Sequence, residues 1–581
     1  MSFSTAQSAA MGPRHTINNN LPAQQPIPVT PWVRDPSWLA LAPLSDTDSK
    51  FTGLIAVWPQ SNFTAFTATT TSGNVSVDWG DGTSETVSSG NTALKQFDYT
   101  TAALIGTEAP VTLNSTTNIV ERTAHGYIDG NTVTLWNVVG STGVFTGQTY
   151  YVINSTANGF QVSATPGGSA VAFGIVGTAS LLPYRQAIVT VTHTSPGGRL
   201  SGLNLNIRNT TTGLQAYETG WLDIEVGSPN FTASGLVIRT ASETVRMRMV
   251  ERIRIANLGG MTSCANMFQN CTSLQSVLLP STASITNTSN MFNACASLRS
   301  APLFNTVGVT NMSAMFTGCS NLQSVPLFDT AAATNMSSMF TSCVSLQTMP
   351  LLNTASVTTM ATMFNGCTSL LTVPLFDTTL VNTMLNMFNG CLSLQSVPLF
   401  NTVAVTVMQG MFLDCRAIQA IPLFNTAIVT NMEGIFQGCI GLQSVPLFNT
   451  VSVTNMRQMF FNCTALTSVP LFNSAAVINM ISMFNGCFAL QAVPALVTTA
   501  VTSSANLSQI FFNCTSLARI QAEDFRFTFT VASCKLSSTA LDEIYTNLPT
   551  VTGQTITVTG NYGTTGDTPA IATAKGWTVT G

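Results

Sequence analysis

Residues 311–334 read NMSAMFTGCSNLQSVPLFDTAAAT, and residues 335–358 read NMSSMFTSCVSLQTMPLLNTASVT. The second nearly copies the first, and the copying does not stop there. Aligned on cysteine, the chain places Cys271, Cys295, Cys319, Cys343, Cys367, Cys391, Cys415, Cys439, Cys463 and Cys487 at a constant spacing of 24 residues, with Cys514 following after 27. Three residues before each cysteine stands a phenylalanine, from Phe268 through Phe316 to Phe511. Met, or Ile at Ile435 and Ile510, precedes it. Three residues after the cysteine comes Leu322 or its equivalent, then V-P-L-F, as at Val325, Pro326, Leu327 and Phe328. A turn of the form [ND]-T-x-x-V-T-N-M closes the unit.

Fixed-period self-similarity is the signature of a solenoid. One unit is too small to bury its own apolar side chains, so stacked units share one continuous core. L-x-x-V-x-L alternates like a short strand with Leu, Val and Leu inward. M-F-x-x-C has the spacing of one helical or 3₁₀ turn facing inward. The Asn/Asp-Thr segment is turn chemistry. At a strand stacking of about 4.8 Å, ten coils extend roughly 50 Å. Proline recurs from Pro302 to Pro494 in the same column. It cannot donate to a ladder, so the strand there must be very short.

The pattern N-M-x-x-M-F-x-x-C-x-x-L-x-x-V-P-L resembles the BspA-type leucine-rich repeat of surface proteins, over about half the chain. The unit departs from the commonest versions in length and in its strand proline. The resemblance implies a binding or spacer surface, not catalysis.

Composition narrows the function further. Of 581 residues only 8% are charged, the net charge is −4, and just four lysines occur (Lys50, Lys95, Lys535, Lys575). An ordinary soluble domain carries about 25% charged residues. The polar surface is therefore built from Ser, Thr, Asn, Gln and Gly, and no basic footprint for nucleic acid exists. The N-terminus lacks a basic segment followed by an apolar core, so no secretory signal is expected. No window is long and apolar enough for membrane insertion. H-E-x-x-H, G-x-S-x-G and P-loop motifs are absent, so no enzyme is expected. No cofactor is expected either.

Zinc ligands come as close pairs, whereas the shortest cysteine spacing here is seven residues, from Cys264 to Cys271. Stacked equivalent cysteines have parallel side-chain vectors, unsuited to disulfides. The column reads as buried free thiols acting as small hydrophobes, a structural core ladder.

Residues 1–48 read as an extended Pro-rich arm, with Trp32 and Trp38 as candidate anchors on a partner or neighbouring subunit. VSVDWGDGTSETV, from Val75, resembles the PKD-type immunoglobulin-like module, which implies a hairpin. Asp78 and Asp81 read as turn carboxylates rather than calcium ligands. That module is expected to comprise 49–104 plus 183–200, with a small β module inserted at 105–182. The A-H-G-Y…V-T-L…Y-Y-V-I…F-Q-V run of the insertion looks like a β domain of bacteriophage virion proteins, with His125 at a motif position. Residues 201–262 read as N-terminal solenoid coils, 263–520 as the repeats and 521–581 as a C-terminal cap. LSSTALDEIYTNL…KGWTVTG resembles the cap of phage tail-fibre-like proteins.

The fold class is thus mainly β with short helices and multidomain. An Ig-like (PKD) β-sandwich with an inserted β module precedes a right-handed leucine-rich-repeat solenoid closed by an α/β cap. The resemblances imply a bacteriophage virion structural protein, a tail or head fibre component made in the host cytoplasm. Its partners would be other virion proteins, a second copy of itself and a host surface glycan or protein. A BspA-type bacterial surface adhesin and a ligand-free connector are the alternatives. Outward positions of the short strand supply a candidate binding face: Ser324, Pro326 and Phe328; Ser396, Pro398 and Phe400; Ser444, Pro446 and Phe448. An exposed phenylalanine ladder would suit glycans, and a buried one would be another core column.

Overall fold

The computed structural model of the chain describes residues 32–35, 38–57, 63–97, 110–122, 127–145, 148–180, 185–205, 220–233, 235–238, 249–280 and 284–581. Residues 1–31 of the expected arm, His15 and His125 lie outside the described residues.

Two sheets face each other near the N-terminus. The larger has seven strands in the order Ser276–Leu278, Arg252–Asn257, Gly220–Gly227, Lys50–Val57, Arg185–His193, Val75–Asp78, Ser84–Val87. The smaller runs Leu236–Val237, Leu200–Asn204, Phe63–Thr70, Thr92–Gln96. Phe51, Phe66, Trp79, Phe97 and Trp221 fill the space between them, with ring centroids 5.2 to 6.4 Å apart. Val75–Asp78 and Ser84–Val87 pair as an antiparallel hairpin around W-G-D-G-T. Asp81 in its turn accepts from Thr83 and pairs with Lys95 at 2.8 Å. Residues 110–180 close into a six-stranded barrel.

The larger sheet changes character along its width. Lys50–Val57 pairs antiparallel with Gly220–Gly227, but Gly220–Gly227 pairs parallel with Arg252–Asn257, and that strand parallel with Ser276–Leu278. The antiparallel sandwich thereby runs into the parallel stacking of the coils, and one apolar cluster extends from Phe51 to Trp577.

From Ser263 to Asn479, single parallel bridges link equivalent residues of consecutive coils. The M-F-x-x-C segment is not a helical or 3₁₀ turn. Met315, Thr317 and Cys319 each donate an N–H three residues back, to Met312, Ala314 and Phe316. The intervening amides point out of the coil: Ala314, Phe316 and Gly318 donate to Ser337, Met339 and Thr341 of the next coil at 2.8 to 2.9 Å. A helix would spend every amide internally. Overlapping β-turns free alternate amides for the neighbour, and positive φ at the third residue of a turn permits this. Ala314 (φ 54°) and Gly318 (φ 74°) occupy those positions, as do Ala294 (φ 61°) and Gly366 (φ 75°) elsewhere.

The V-P-L-F segment corrects a second expectation. Among the described residues, strands form there only at the two ends of the stack, at Ser276–Leu278 and Ala492–Val497. Between them proline removes the donor a ladder needs. Phe376, Phe400 and Phe424 instead donate their N–H two residues back, to the carbonyls of Pro374, Pro398 and Pro422, at 3.0 Å. That γ-turn breaks the two-residue alternation. Leucine 327 and its equivalents are turned outward, and Phe328, Phe400 and Phe448 inward, where each is buried.

Two phenylalanine columns result. The Phe388 ring stacks on Phe364 and Phe412 at 5.7 Å and on Phe400 at 6.3 Å, with interplanar angles of 1° to 12°. The cysteines are buried and free, and they do more than fill space. From Cys295 to Cys514 the Sγ–H donates to the carbonyl of the phenylalanine in the preceding coil, as Cys391 does to Phe364 and Cys415 to Phe388 at 3.1 Å. A third column is of buried threonines, and Thr402, Thr426 and Thr450 donate their hydroxyls to the Asn425, Asn449 and Asn473 carbonyls of the next coil at 2.7 to 2.8 Å.

At the C-terminal end, the helix Ser538–Asn547 starts at Ser537, whose side chain accepts from the Ala540 amide. Its Glu543 holds Arg519 of the strand Arg519–Glu523 at 2.7 and 3.0 Å. A three-stranded parallel sheet, Phe529–Thr530, Gln554–Thr557 and Trp577–Thr580, completes this end.

Two predictions follow from the coil geometry. Replacing Ala294 or Ala314 by glycine removes the penalty of a left-handed alanine, about 1 kcal/mol before backbone entropy is subtracted, so the denaturation midpoint should rise. Burial raises the thiols, to about 12 at Cys367 and Cys487. Iodoacetamide at mildly alkaline pH should therefore leave the native cysteines unmodified and label them all in denaturant, read by intact mass.

Candidate binding face of the solenoid

The turn at V-P-L builds a ridge. Leu303, Leu327, Leu351, Leu375, Leu399, Leu423, Leu447 and Leu471 occupy one column and are 57–70% exposed. The proline before each is half-buried. Side chains one coil apart sit about 4.8 Å from one another, so the leucines form one continuous apolar line rather than scattered contacts. Monomeric proteins seldom expose contiguous apolar surface of this length without a use for it.

Of the residues expected on this face, Ser324, Ser396 and Ser444 are exposed, and Pro326, Pro398 and Pro446 are half-buried. The phenylalanines are not on it. The leucine beside each proline, expected inward, takes the outer place. On one flank of the ridge stands an exposed Asn/Asp column from Asn305 to Asn473, whose side-chain oxygens accept the amide two residues on, as Asn401 does from Val403. The only carboxylates in it are Asp329 and Asp377.

A second cluster of polar chemistry lies at the junction of residues 32–44, the barrel and the first parallel strands. Trp38 is buried against the barrel core, and Trp32 packs on the same cluster. Trp32 donates its indole N–H to Glu251 at 3.1 Å. Both tryptophans are thus engaged by this chain's own sheet and barrel. Arg34 binds Asp223 at 2.8 Å and stacks over Trp38. Arg252 bridges Asp223 and Glu225, and Arg254 holds the other Glu225 oxygen at 2.7 Å. Asp223 and Glu225 are fully buried. Paired in this way they are tolerated: each carboxylate has two arginines, and only losing both would leave a buried charge unpaired, at a cost of about 3–5 kcal/mol.

Glu251 lines a small cleft with Trp32, Val33, Asp35, Tyr127, Asn131 and Gln275. Its carboxylate accepts from Trp32 and from Gln275 at 3.2 Å, while Tyr127 donates to Asp35 at 2.9 Å. Burial pushes Glu251 up to about 7, the Trp32 N–H opposes this, and the charges of Asp35 and Asp223 add to it. No group of three or more His, Cys, Asp or Glu able to hold a metal occurs among the described residues.

A family model described as "Mycoplasma protein of unknown function, DUF285" matches residues 262–373, 348–444 and 440–528, all within the repeats and the coil that ends them. No curated protein matches the chain. Among solved structures, a leucine-rich repeat protein from Eubacterium ventriosum ATCC 27560 is 14% identical, over 48% of this chain and 94% of that one, with a TM-score of 0.24. The TLR13–ssRNA13 complex is 13% identical over 59% of this chain and 50% of that one, with a TM-score of 0.22. The plant peptide hormone receptor RGFR1 in complex with RGF2 is 14% identical over 63% and 71%, with a TM-score of 0.20.

A pH dependence follows from Glu251. Its proton is held more tightly folded than unfolded, so its contribution to stability is full below the ordinary carboxyl range and is lost as pH rises through about 7. The thermal midpoint of the chain should fall between pH 5 and pH 8, and Glu251→Gln should flatten that fall. Differential scanning calorimetry of both proteins at the two pH values checks this.

Proposed function

We propose that this chain is a non-catalytic docking protein, closest in kind to BspA-type surface proteins, whose Pro–Leu ridge is a contact surface for protein. The observation that carries the reading is the eight-leucine column. A flat apolar line with a neutral hydrogen-bonding rim matches the core-and-rim pattern of protein interfaces. It does not suit a glycan, whose recognition would draw on the aromatic ladder that is instead buried. The virion-appendage reading draws on likenesses in the barrel insertion and the C-terminal cap, outside the part matched by the family model. Attachment through Trp32 and Trp38 is also weakened, because both are occupied within the chain.

The test is adsorption of labelled full chain to intact bacterial cells with and without protease treatment, alongside its adsorption to itself. The wild-type chain should bind at least one of these protein surfaces. The variant carrying Leu351→Gln, Leu375→Gln, Leu399→Gln and Leu423→Gln should lose about 10-fold or more of that binding while keeping its melting temperature, since exposed substitutions each cost within about 0.5 kcal/mol. Undiminished binding by the variant would refute the ridge as the contact surface.

A further inference from the structure

Resting on that docking role, we infer that the partner of the ridge is a second copy of this chain, laid antiparallel about a two-fold axis between the coils of Leu375 and Leu399. Periodicity is the first argument. A column of leucines repeating every coil, about 4.8 Å, is fully engaged only by a partner with the same repeat. A second ridge has that repeat at every contact, whichever coil faces which.

Area is the second. At 57–70% exposure each leucine offers about 100 Å², so eight offer roughly 800 Å², which is the contribution of one partner to a standard-size stable interface. The prolines add to it, and as rigid side chains they lose little freedom on contact.

The flanks select the orientation. The Asn/Asp column lies on one side of the ridge, with its carboxylates, Asp329 and Asp377, in its N-terminal half. Parallel copies, related by an axis along the ridge, would leave the two columns on opposite sides of it. Antiparallel copies bring them to the same side, where Asp377 faces Asn401 and Asp329 faces Asn449, so amides meet amides and carboxylates and no like charges meet. An isologous contact of this kind closes on itself and stops at the dimer instead of growing into a filament.

Sedimentation equilibrium of the full chain at micromolar concentrations should give twice the 61.4 kDa chain mass. Leu375→Glu with Leu423→Glu should weaken dimerisation by about 100-fold or more, returning the single-chain mass with an unchanged far-UV circular dichroism spectrum. Should that variant misfold, Leu375→Gln with Leu423→Gln provides the milder version. Under oxidation, Leu375→Cys combined with Leu399→Cys should crosslink copies, whereas Leu327→Cys alone should not. A wild-type chain that stays at 61.4 kDa, or ridge variants that stay dimeric, would overturn the inference. Crosslinking through Leu327→Cys alone would overturn its antiparallel form. A monomer whose cell adsorption still depends on the ridge sinks this inference and leaves the docking reading standing. Loss of both sinks the two together.

Discussion

Everything in the repeat region depends on where alternate amide protons go. In the turn segment, one N–H closes a turn within its own coil and the next reaches a carbonyl of the neighbouring coil. A buried amide without an acceptor is costly, so a coil cannot keep this conformation alone. The same constraint explains the sequence. Left-handed residues recur before the second methionine and before the cysteine because the turns need positive φ there. Gly, Asn and Ser dominate those places, and alanine is accepted at a cost. The cysteine is fixed by the same geometry, since its thiol reaches the carbonyl of the previous coil's phenylalanine while filling little volume.

Stacking identical coils converts each sequence column into a physical line, buried or exposed. Phe, Met, Cys and Leu322-type columns become the core, and the threonine column carries its hydrogen bonds inside. The sign of charge hardly matters within the stack because few charges are present. Where charges do gather, they do structural work at its beginning. Asp223 and Glu225 are buried and matched by Arg34, Arg252 and Arg254, locking Arg34 onto the sheet at which antiparallel pairing becomes parallel. The barrel is tied to the same place through Tyr127 to Asp35 and Arg299 to Gly130.

The columns at fixed spacing were legible in the sequence, because burial in a solenoid is a property of the column and not of the individual residue. The ridge was not. Leu399 and Phe400 are both apolar, and the γ-turn after Pro398 decides which one faces water. Counting by twos through a proline gave the opposite assignment. The roles of Trp32 and Trp38 were hidden for a different reason: Trp32 meets Glu251 across 219 positions, a contact no local pattern encodes. Arg252 and Arg254 likewise carry no local signal of their role, because their partners Asp223 and Glu225 lie one strand away in the same sheet.

If alternate amides tie each coil only to its neighbours, one whole coil is dispensable. Removing residues 359–382, which joins Thr358 directly to Thr383 in an equivalent position, is the most direct measurement of that claim. The far-UV circular dichroism per residue and the cooperative melt should survive with a modest drop in midpoint. Loss of the folded spectrum on removing one coil would mean that the stack is held by something other than contacts between adjacent repeats.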